Sequence, residues 1–378
     1  MVPNLRFREF SLPWHQIPIK DLLSFQNGIN GVPEQYGKGI KYISVGDILN
    51  NDYITYDKIV GSIDISQETL KNYSVTYGDI LFQRSSEIKD DIGRTNVYLD
   101  KDNTATFGGF VIRGKKIGDY NPSFFSFLLK SPSSRKSIVR LGAGAQHYNI
   151  GQENIKTLSF YFPNEIEQVK IANLLSKIDE RIQTQIKIID DYNSLKMGIY
   201  NCVFKENYAD YKLKQLAYIV KGDQINNDQL LSNGSYYMMN GGASPSGYLD
   251  SYNVSENTIS ISEGGNSCGY VQFNSSPFWS GGHCYTIQNV NSALIENKYL
   301  YHYLKYKEKE IMNLRIGTGL PNIQKKDLEN FTILVPSLLI QRKNLALFEM
   351  LDEKISILNE ELANLQKQKK YLLCNMFI

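Results

Sequence analysis

The sequence predicts an α+β fold: two mixed α/β bodies, related by a pseudo-twofold and separated by two long antiparallel helices of coiled-coil type. Three observations carry this. Residues 149–204 reappear without a gap as residues 322–377, at a constant offset of 173. Each copy holds a long stretch whose apolar residues recur at helical seam spacing. The segments outside these stretches are rich in short β-branched and aromatic runs bounded by Gly, Asn, Asp and Ser, which read as strands and turns. A long internal duplication implies two of every feature it contains.

The register of the repeat is fixed by identities. Asn149-Ile150 falls on Asn322-Ile323, Pro163 on Pro336, and Gln168, Asp179, Glu180, Ile182, Lys196 and Phe204 fall on Gln341, Asp352, Glu353, Ile355, Lys369 and Phe377. Each copy opens with a strand-like run, LSFYFP or FTILVP, whose proline cannot pair in a ladder and so ends it. Helices are predicted from about 165 to 202 and from 338 to 376, each about 55 Å long at 1.5 Å per residue. Leu175, Ile178, Ile182, Gln185, Ile189 and Tyr192 follow steps of three and four, as do Phe348, Leu351, Ile355, Leu358, Leu362 and Leu365. That spacing describes a coiled-coil seam rather than a broad globular stripe. The partner each helix needs is its own copy; two ordinary core helices are the plainer alternative.

The bodies, about 1–163 and 205–336, have diverged much further. Lys130 to Gly142 matches Lys305 to Gly317 at an offset of 175, and KYISVGDI and FGGFVIR align in outline with YYMMNGGA and GGHCYTIQ. A helix is predicted over 122–138, with Asn121 as N-cap and Pro122 at its first position, and a counterpart over about 298–313. The C-terminal end of the second helix is expected beside residues 5–15, because FREFSLPWHQIPIKDL enters the first body much as FKENYADYKLKQL enters the second.

With 378 residues the chain can hold two separate cores. Its 41 basic and 39 acidic residues leave a formal charge of +2, so any attraction to nucleic acid must be local. Cys202, Cys268, Cys284 and Cys374 form no CxxC pair or regular framework, as reduced thiols would. No apolar run of membrane-spanning length occurs and the start lacks a signal-like core, so a soluble, cytoplasmic protein is expected.

Catalytic motifs are weak. Asn121-Pro122-Ser123-Phe124 approaches the N/D-P-P-Y/F loop of adenine methyltransferases but lacks the second proline and sits at a helix N-cap. Gly31 to Gly39 is one residue too long for a phosphate loop, and Gly39 stands where Ser or Thr is needed. His283-Cys284 has no second pair at zinc spacing, and a buried strand is the simpler account.

Duplicated helices joining two diverged, loop-rich bodies resemble the specificity (S) subunit of type I restriction–modification systems. The resemblance spans essentially the whole chain and rests most on P-x-x-x-x-Q-x-x-I/L-A-x-L/F followed by D-E-K/R-I. Here that pattern stands as PNEIEQVKIANLL with DERI, and as PSLLIQRKNLALF with DEKI, where Asn344-Leu345-Ala346 departs from the usual I-A. Turns at Gly46-Asp47-Ile48 and Gly78-Asp79-Ile80 are weaker matches. The resemblance implies target-recognition domains at 1–163 and 205–336 and spacer helices at 164–204 and 337–378. Each domain would read one half of a split double-stranded DNA site, with the helices as ruler and as docking site for two modification (M) subunits. It also implies a chain without catalysis: S-adenosylmethionine belongs to M, and ATP and magnesium to two restriction (R) subunits. A protein-only coiled-coil scaffold and a self-sufficient DNA methyltransferase are the alternative classes. Sequence-specific DNA binding with M subunits separates the first, and S-adenosylmethionine binding by this chain alone the second.

DNA-contact candidates follow from side-chain chemistry: arginine suits guanine, asparagine or glutamine suits adenine, and serine and lysine suit phosphate. In the first domain these are Arg84, Ser85, Ser86, Lys89, Arg94 and Asn96, then Gln146, His147 and Tyr148 after a flexible GAG, with Arg113, Lys115 and Lys116 as phosphate contacts. In the second they are Asn240, Ser244, Ser246, Asn266, Ser267, His283 and Asn322, with Lys325 and Lys326. For each of these residues a solvated loop is the competing reading; the clusters are better supported than their members.

Overall fold

The structure, a computed structural model, describes residues 1–205, 208–317, 319 and 321–378, and the backbone alone at Asn227. Parts of the loops FKENYADYKLKQL and IGTGLPNI, namely Glu206, Asn207, Thr318 and Leu320, therefore lie outside the described residues. The chain forms two compact units, Met1–Ile186 with Glu360–Ile378, and Lys187–Asn359.

In the first unit a four-stranded sheet runs in the order Leu23–Asn27, Val111–Lys116, Ile80–Gln83, Thr95–Val97, all antiparallel. A three-stranded sheet sets Tyr36–Ile43 between Ser62–Ile63 and a parallel neighbour, Thr106–Phe107. His15–Pro18 pairs with Ser159–Phe162, the strand that Pro163 ends.

The second unit repeats this plan strand for strand. Its four-stranded sheet runs Tyr218–Lys221, Cys284–Gln288, Thr258–Ser262, Val271–Asn274. Its three-stranded sheet sets Tyr236–Met239 between Gly247–Leu249 and a parallel Trp279–Ser280. The duplication thus extends through the bodies. The pairing also corrects the outline alignment by one residue. Ile43 lies beside Phe107 as Met239 lies beside Ser280, so Ile43 matches Met239 rather than Met238.

The helix predicted over 122–138 is two helices, Pro122–Lys130 and Pro132–Val139. Pro132 lacks an amide hydrogen and forces its predecessor out of helical geometry; Ser131 is accordingly extended, and its hydroxyl caps the second helix at Ser134. The counterpart is also divided, into Asn297–Tyr306 and Glu308–Met312 at Lys307. Asn121 is the expected cap, its side chain accepting from the Phe124 amide at 2.9 Å. Such a cap contributes about 1 kcal/mol and accounts for the near-methyltransferase motif. Of the two Gly-Asp-Ile segments only Gly78-Asp79-Ile80 is a turn, with Asp79 accepting from the Lys116 and Thr76 amides at 2.9 and 3.0 Å. Gly46-Asp47-Ile48 lies instead in the helix Val45–Asn50, where Asp47 accepts from the Ser44 amide at 2.7 Å and so closes the helix start.

The long helices are Glu165–Phe204 and Leu338–Asn375. All twelve seam positions are buried or half-buried. Within the first unit Asp179 pairs with Lys369 at 2.5 Å and Gln185 donates to Glu361 at 3.0 Å, so the residue numbers run in opposite directions along the contact. In the second unit Lys196 pairs with Asp352, the same ion pair displaced by one repeat. Both stretches are therefore antiparallel.

Each long helix is fastened to its body by a glutamine. Gln168 accepts from the Asn121 amide at 2.9 Å and donates to Pro163 O at 3.0 Å. Gln341 accepts from the Glu296 amide and donates to Leu294 O and Pro336 O, each at 2.8 Å. The end of the second helix meets the first unit where expected: Leu5 N donates to Asn375 O at 2.9 Å, and the Phe377 ring packs 6.4 Å from Trp14. No helix among the described residues is long and apolar enough to cross a membrane.

Gln341 is wholly buried, so Gln341→Ala leaves a buried amide and two carbonyls without partners. It should cost about 1–3 kcal/mol per group left unpaired, measured by urea denaturation. Ile182→Asp would bury a charge in the seam and should destabilise the first unit more strongly still.

A second prediction concerns pH. His302, matching Phe127 of the first unit, is buried and hydrogen-bonds the Tyr200 hydroxyl at 2.7 Å. Burial, helped by the nearby Lys196 charge, pushes its imidazole down from 6.5 to about 3. Between those values the unfolded chain binds a proton that the folded chain refuses. Stability should therefore fall as pH drops through this window, by at most about 1.4 kcal/mol per unit. His302→Phe should narrow the gap between denaturation midpoints at about pH 7 and about pH 5.

Candidate nucleic-acid interface

In the first unit the fold brings two predicted loops together. Ser85–Ser86 pairs antiparallel with Tyr148–Asn149, directly beyond the end of Ile80–Gln83. Ala143 and Asn149 close a small hairpin through reciprocal 3.0 and 2.9 Å bonds, and Gln146 and His147 are exposed on it. Gly144 has φ +135°, and a Cβ there would stand 2.0 Å from His147 O, so the hairpin requires glycine. Arg84 bridges the two loops: its carbonyl accepts from Ile150 N, its amide donates to Phe110 O, and its guanidinium donates to Gly109 O at 3.2 Å. Arg84, Ser85, Ser86, Gln146, His147 and Tyr148 therefore form one rim.

The remaining candidates of this domain lie elsewhere. Lys89 is exposed in the turn Lys89–Asp91, and exposed Arg94 is paired with Asp91 at 2.6 Å. Arg135 supports this turn by donating to the carbonyls of Asp90, Ile92 and Gly93 at 2.7–2.9 Å, with burial pushing its guanidinium down to about 10. Asn96 is fully buried; it donates to Ile48 O and Asn51 O and accepts from Val97 N, which leaves nothing for a base. Arg113 is also buried, hydrogen-bonded to Gln26 and Ser74 O, with burial lowering its pKa. Lys115 and Lys116 sit at the opposite end of strand Val111–Lys116 from the rim, about 13 Å along the strand. Lys115 is exposed, whereas Lys116 donates to Tyr120 O.

The second unit builds the same rim from other residues. Ile316 and Asn322 exchange bonds as Ala143 and Asn149 do, and Gly317 has positive φ as Gly144 does. Asn322 bridges to Gly264, and Ile323 N donates to Glu263 O, the bond that Ile150 makes to Arg84. Glu263 N donates to His283 O just as Arg84 N donates to Phe110 O. Glu263 thus occupies the position of Arg84, and His283 that of Phe110. Asn240 accepts from the His283 amide at 2.9 Å, and Ser262 fixes the neighbouring Gly241 carbonyl at 2.8 Å. Asn240, Asn266, Ser267, His283 and Asn322 are therefore carried by loops joined around Glu263. Ser244 and Ser246 are exposed on the loop after Asn240, while Lys325 and Lys326 are exposed on the separate short helix Lys325–Glu329.

Sequence reasoning passed over Phe110, which is 68% exposed, and Glu263. The repeated Gly-Gly-Phe and Gly-Gly-His at 108–110 and 281–283 are the signal that marks the first position. Nothing in the local sequence marks the second.

Two rims on one repeated framework, with different side chains at matched positions, are what a family comparison has to explain. A family profile described as the type I restriction modification DNA specificity domain matches residues 13–190 and again 205–367. The chain belongs to that family. Among its relatives, a type I specificity subunit of Mycoplasma pneumoniae is 34% identical over 155 residues, spanning 41% of each chain. The MjaX specificity subunit of Methanocaldococcus jannaschii is 24% identical over 95% of this chain and 92% of its own length. The chain thus spans about two fifths of the first relative and nearly all of the second. The fold matches the crystal structure of a type I S subunit from M. genitalium, with a TM-score of 0.66 at 21% identity, covering 100% of this chain and 99% of that one. In this chain the two profile matches fall one on each repeat of the fold.

Because Asn96 and Arg113 are committed inside the first unit, Asn96→Ala and Arg113→Ala should each lower stability by about 1–3 kcal/mol. Neither should change the salt dependence of DNA binding by the fraction that remains folded. Thermal unfolding beside a salt titration separates the two effects.

Proposed function

We propose that this chain is the DNA-reading subunit of a type I restriction–modification assembly. Each domain reads one half of a bipartite target through its rim, and the helix pair sets the spacing and docks two M subunits. The observation that carries the reading is the matched pair of rims: the same hydrogen-bonded backbone displays Arg84 and Phe110 in one repeat, Glu263 and His283 in the other. Selection for two different half-sites on one duplicated scaffold leaves this pattern. A split site also demands a rigid spacer, since a flexible linker would blur the separation. Unbroken helices of 40 and 38 residues, tied antiparallel by an ion pair within each unit, support this reading. In this reading the chain performs no chemistry and works in the cytoplasm. S-adenosylmethionine is held by the M subunits, and ATP and magnesium by R subunits where these are present.

Replacing residues 205–336 by the matching segment of another such subunit should exchange the second half-site and leave the first intact, read by methylome sequencing. A change in both halves, or in neither, would sink the modular reading. Lys115→Ala, at the far end of its strand from the rim, should leave the preferred bases of both half-sites unchanged. Arg84→Ala should instead relax one position of the first half-site, at a cost of about 1–3 kcal/mol.

A further inference from the structure

The inference rests on the function just proposed and concerns the second rim. Glu263 is 8% exposed, yet it lies where the sheet opens toward the loops. Its two carboxylate oxygens have different surroundings. Oε1 receives Lys221 Nζ at 2.6 Å and the Tyr285 hydroxyl at 3.1 Å. Oε2 is buried without a formed hydrogen bond, and His283 Nδ1 stands 3.4 Å from it, an ion-pair contact short of hydrogen-bond geometry. The His283 side chain is itself 61% exposed. Its backbone is clamped on both sides, by Asn240 at its amide and by Glu263 N at its carbonyl.

A carboxylate can only accept, so its negative charge beside Nδ1 favours the imidazole tautomer whose proton is on Nδ1, the one form able to close this contact into a hydrogen bond. The other ring nitrogen, Nε2, then faces outward as a bare acceptor. In a major groove, an acceptor finds its partner in the exocyclic amine of adenine or cytosine. We infer that His283 reads an amine-bearing base, adenine or cytosine, at one position of the second half-site. Glu263 is the positioning residue that fixes its tautomer. The matching position of the first domain is filled by exposed, apolar Phe110 and cannot make this hydrogen bond. The two half-sites are therefore read at that point by different chemistry.

The test uses the full chain assembled with M subunits, read by methylome sequencing. His283→Ala should relax a single position in the second half-site, with discrimination there falling roughly tenfold, and leave the first half-site unchanged. Glu263→Gln gives a sharper readout, since a glutamine amide can donate to Nδ1 and so place the ring proton on Nε2. The preference at that one position should then extend to guanine or thymine, whose groove edges accept there. A purely structural role for Glu263 would weaken methylation at all sites without changing the preferred base. If His283→Ala methylates nothing, competition between duplexes varied at single positions measures the same discrimination by binding. An unaltered base preference in His283→Ala, or a change confined to the first half-site, would overturn the inference. Absence of a two-part methylated site with the natural chain would instead refute the proposed function.

Discussion

Two buried amides hold this architecture together. Gln168 and Gln341 each join three pieces of backbone: the end of a strand at proline, the start of the helix pair in the body, and the first turn of a long helix. A primary amide in a core costs several kcal/mol unless its donors and acceptor are satisfied, and here both ends are engaged. The geometry admits no other common side chain. Glutamate lacks the donor, and asparagine is one carbon too short. The clamp fixes the direction in which each helix leaves its body, and hence the relation between the helix and the loops that body displays.

Legibility in the sequence followed the nature of the constraint. The helices were readable because the seam tolerates few substitutions: a constant offset survived over the whole block, and Leu175, Ile182, Phe348 and Leu358 are buried where the spacing placed them. The bodies were readable only in outline, since strands of two to eight residues carry little periodicity. Their equivalence emerged from pairing, with Gln83 opposite Val111 and Ser262 opposite Cys284. The helix break at Pro132 was written in the sequence, since a proline inside a helical stretch ends the helix at the residue before it. Asn96 and Arg113 carry chemistry suited to DNA. What decided their placement was burial set by distant partners such as Asn51 and Gln26, which no local signal reveals.

Within each rim, backbone and side chain answer to different demands. The backbone is held by positions where a side chain does not fit. A Cβ on Gly28 would stand 2.0 Å from Gly108 O, and one on Gly222 would stand 2.3 Å from Ser280 O, at matching points of the two repeats. Around these fixed points the side chains have changed freely, even in charge. Arg84 of one repeat stands where the other has buried Glu263, yet each keeps the same two backbone bonds, from Ile150 or Ile323 to its carbonyl and from its amide to Phe110 or His283.

The first unit is assembled from both ends of the polypeptide, residues 1–186 and 360–378, whereas the second is continuous from 187 to 359. On a ribosome the two therefore mature in the reverse of their coding order. The second body has all its residues while the first still lacks Met376 and Phe377 from its core. Until Met376 and Phe377 emerge, the first body keeps an open apolar slot beside Trp14 and Phe124. A message broken off between the codons for Asn359 and Met376 yields a chain with one finished body and one unfinished. Such a product exposes apolar surface for chaperones and proteases to recognise. The duplicated design thus carries its own check on completeness: the half that begins first closes last.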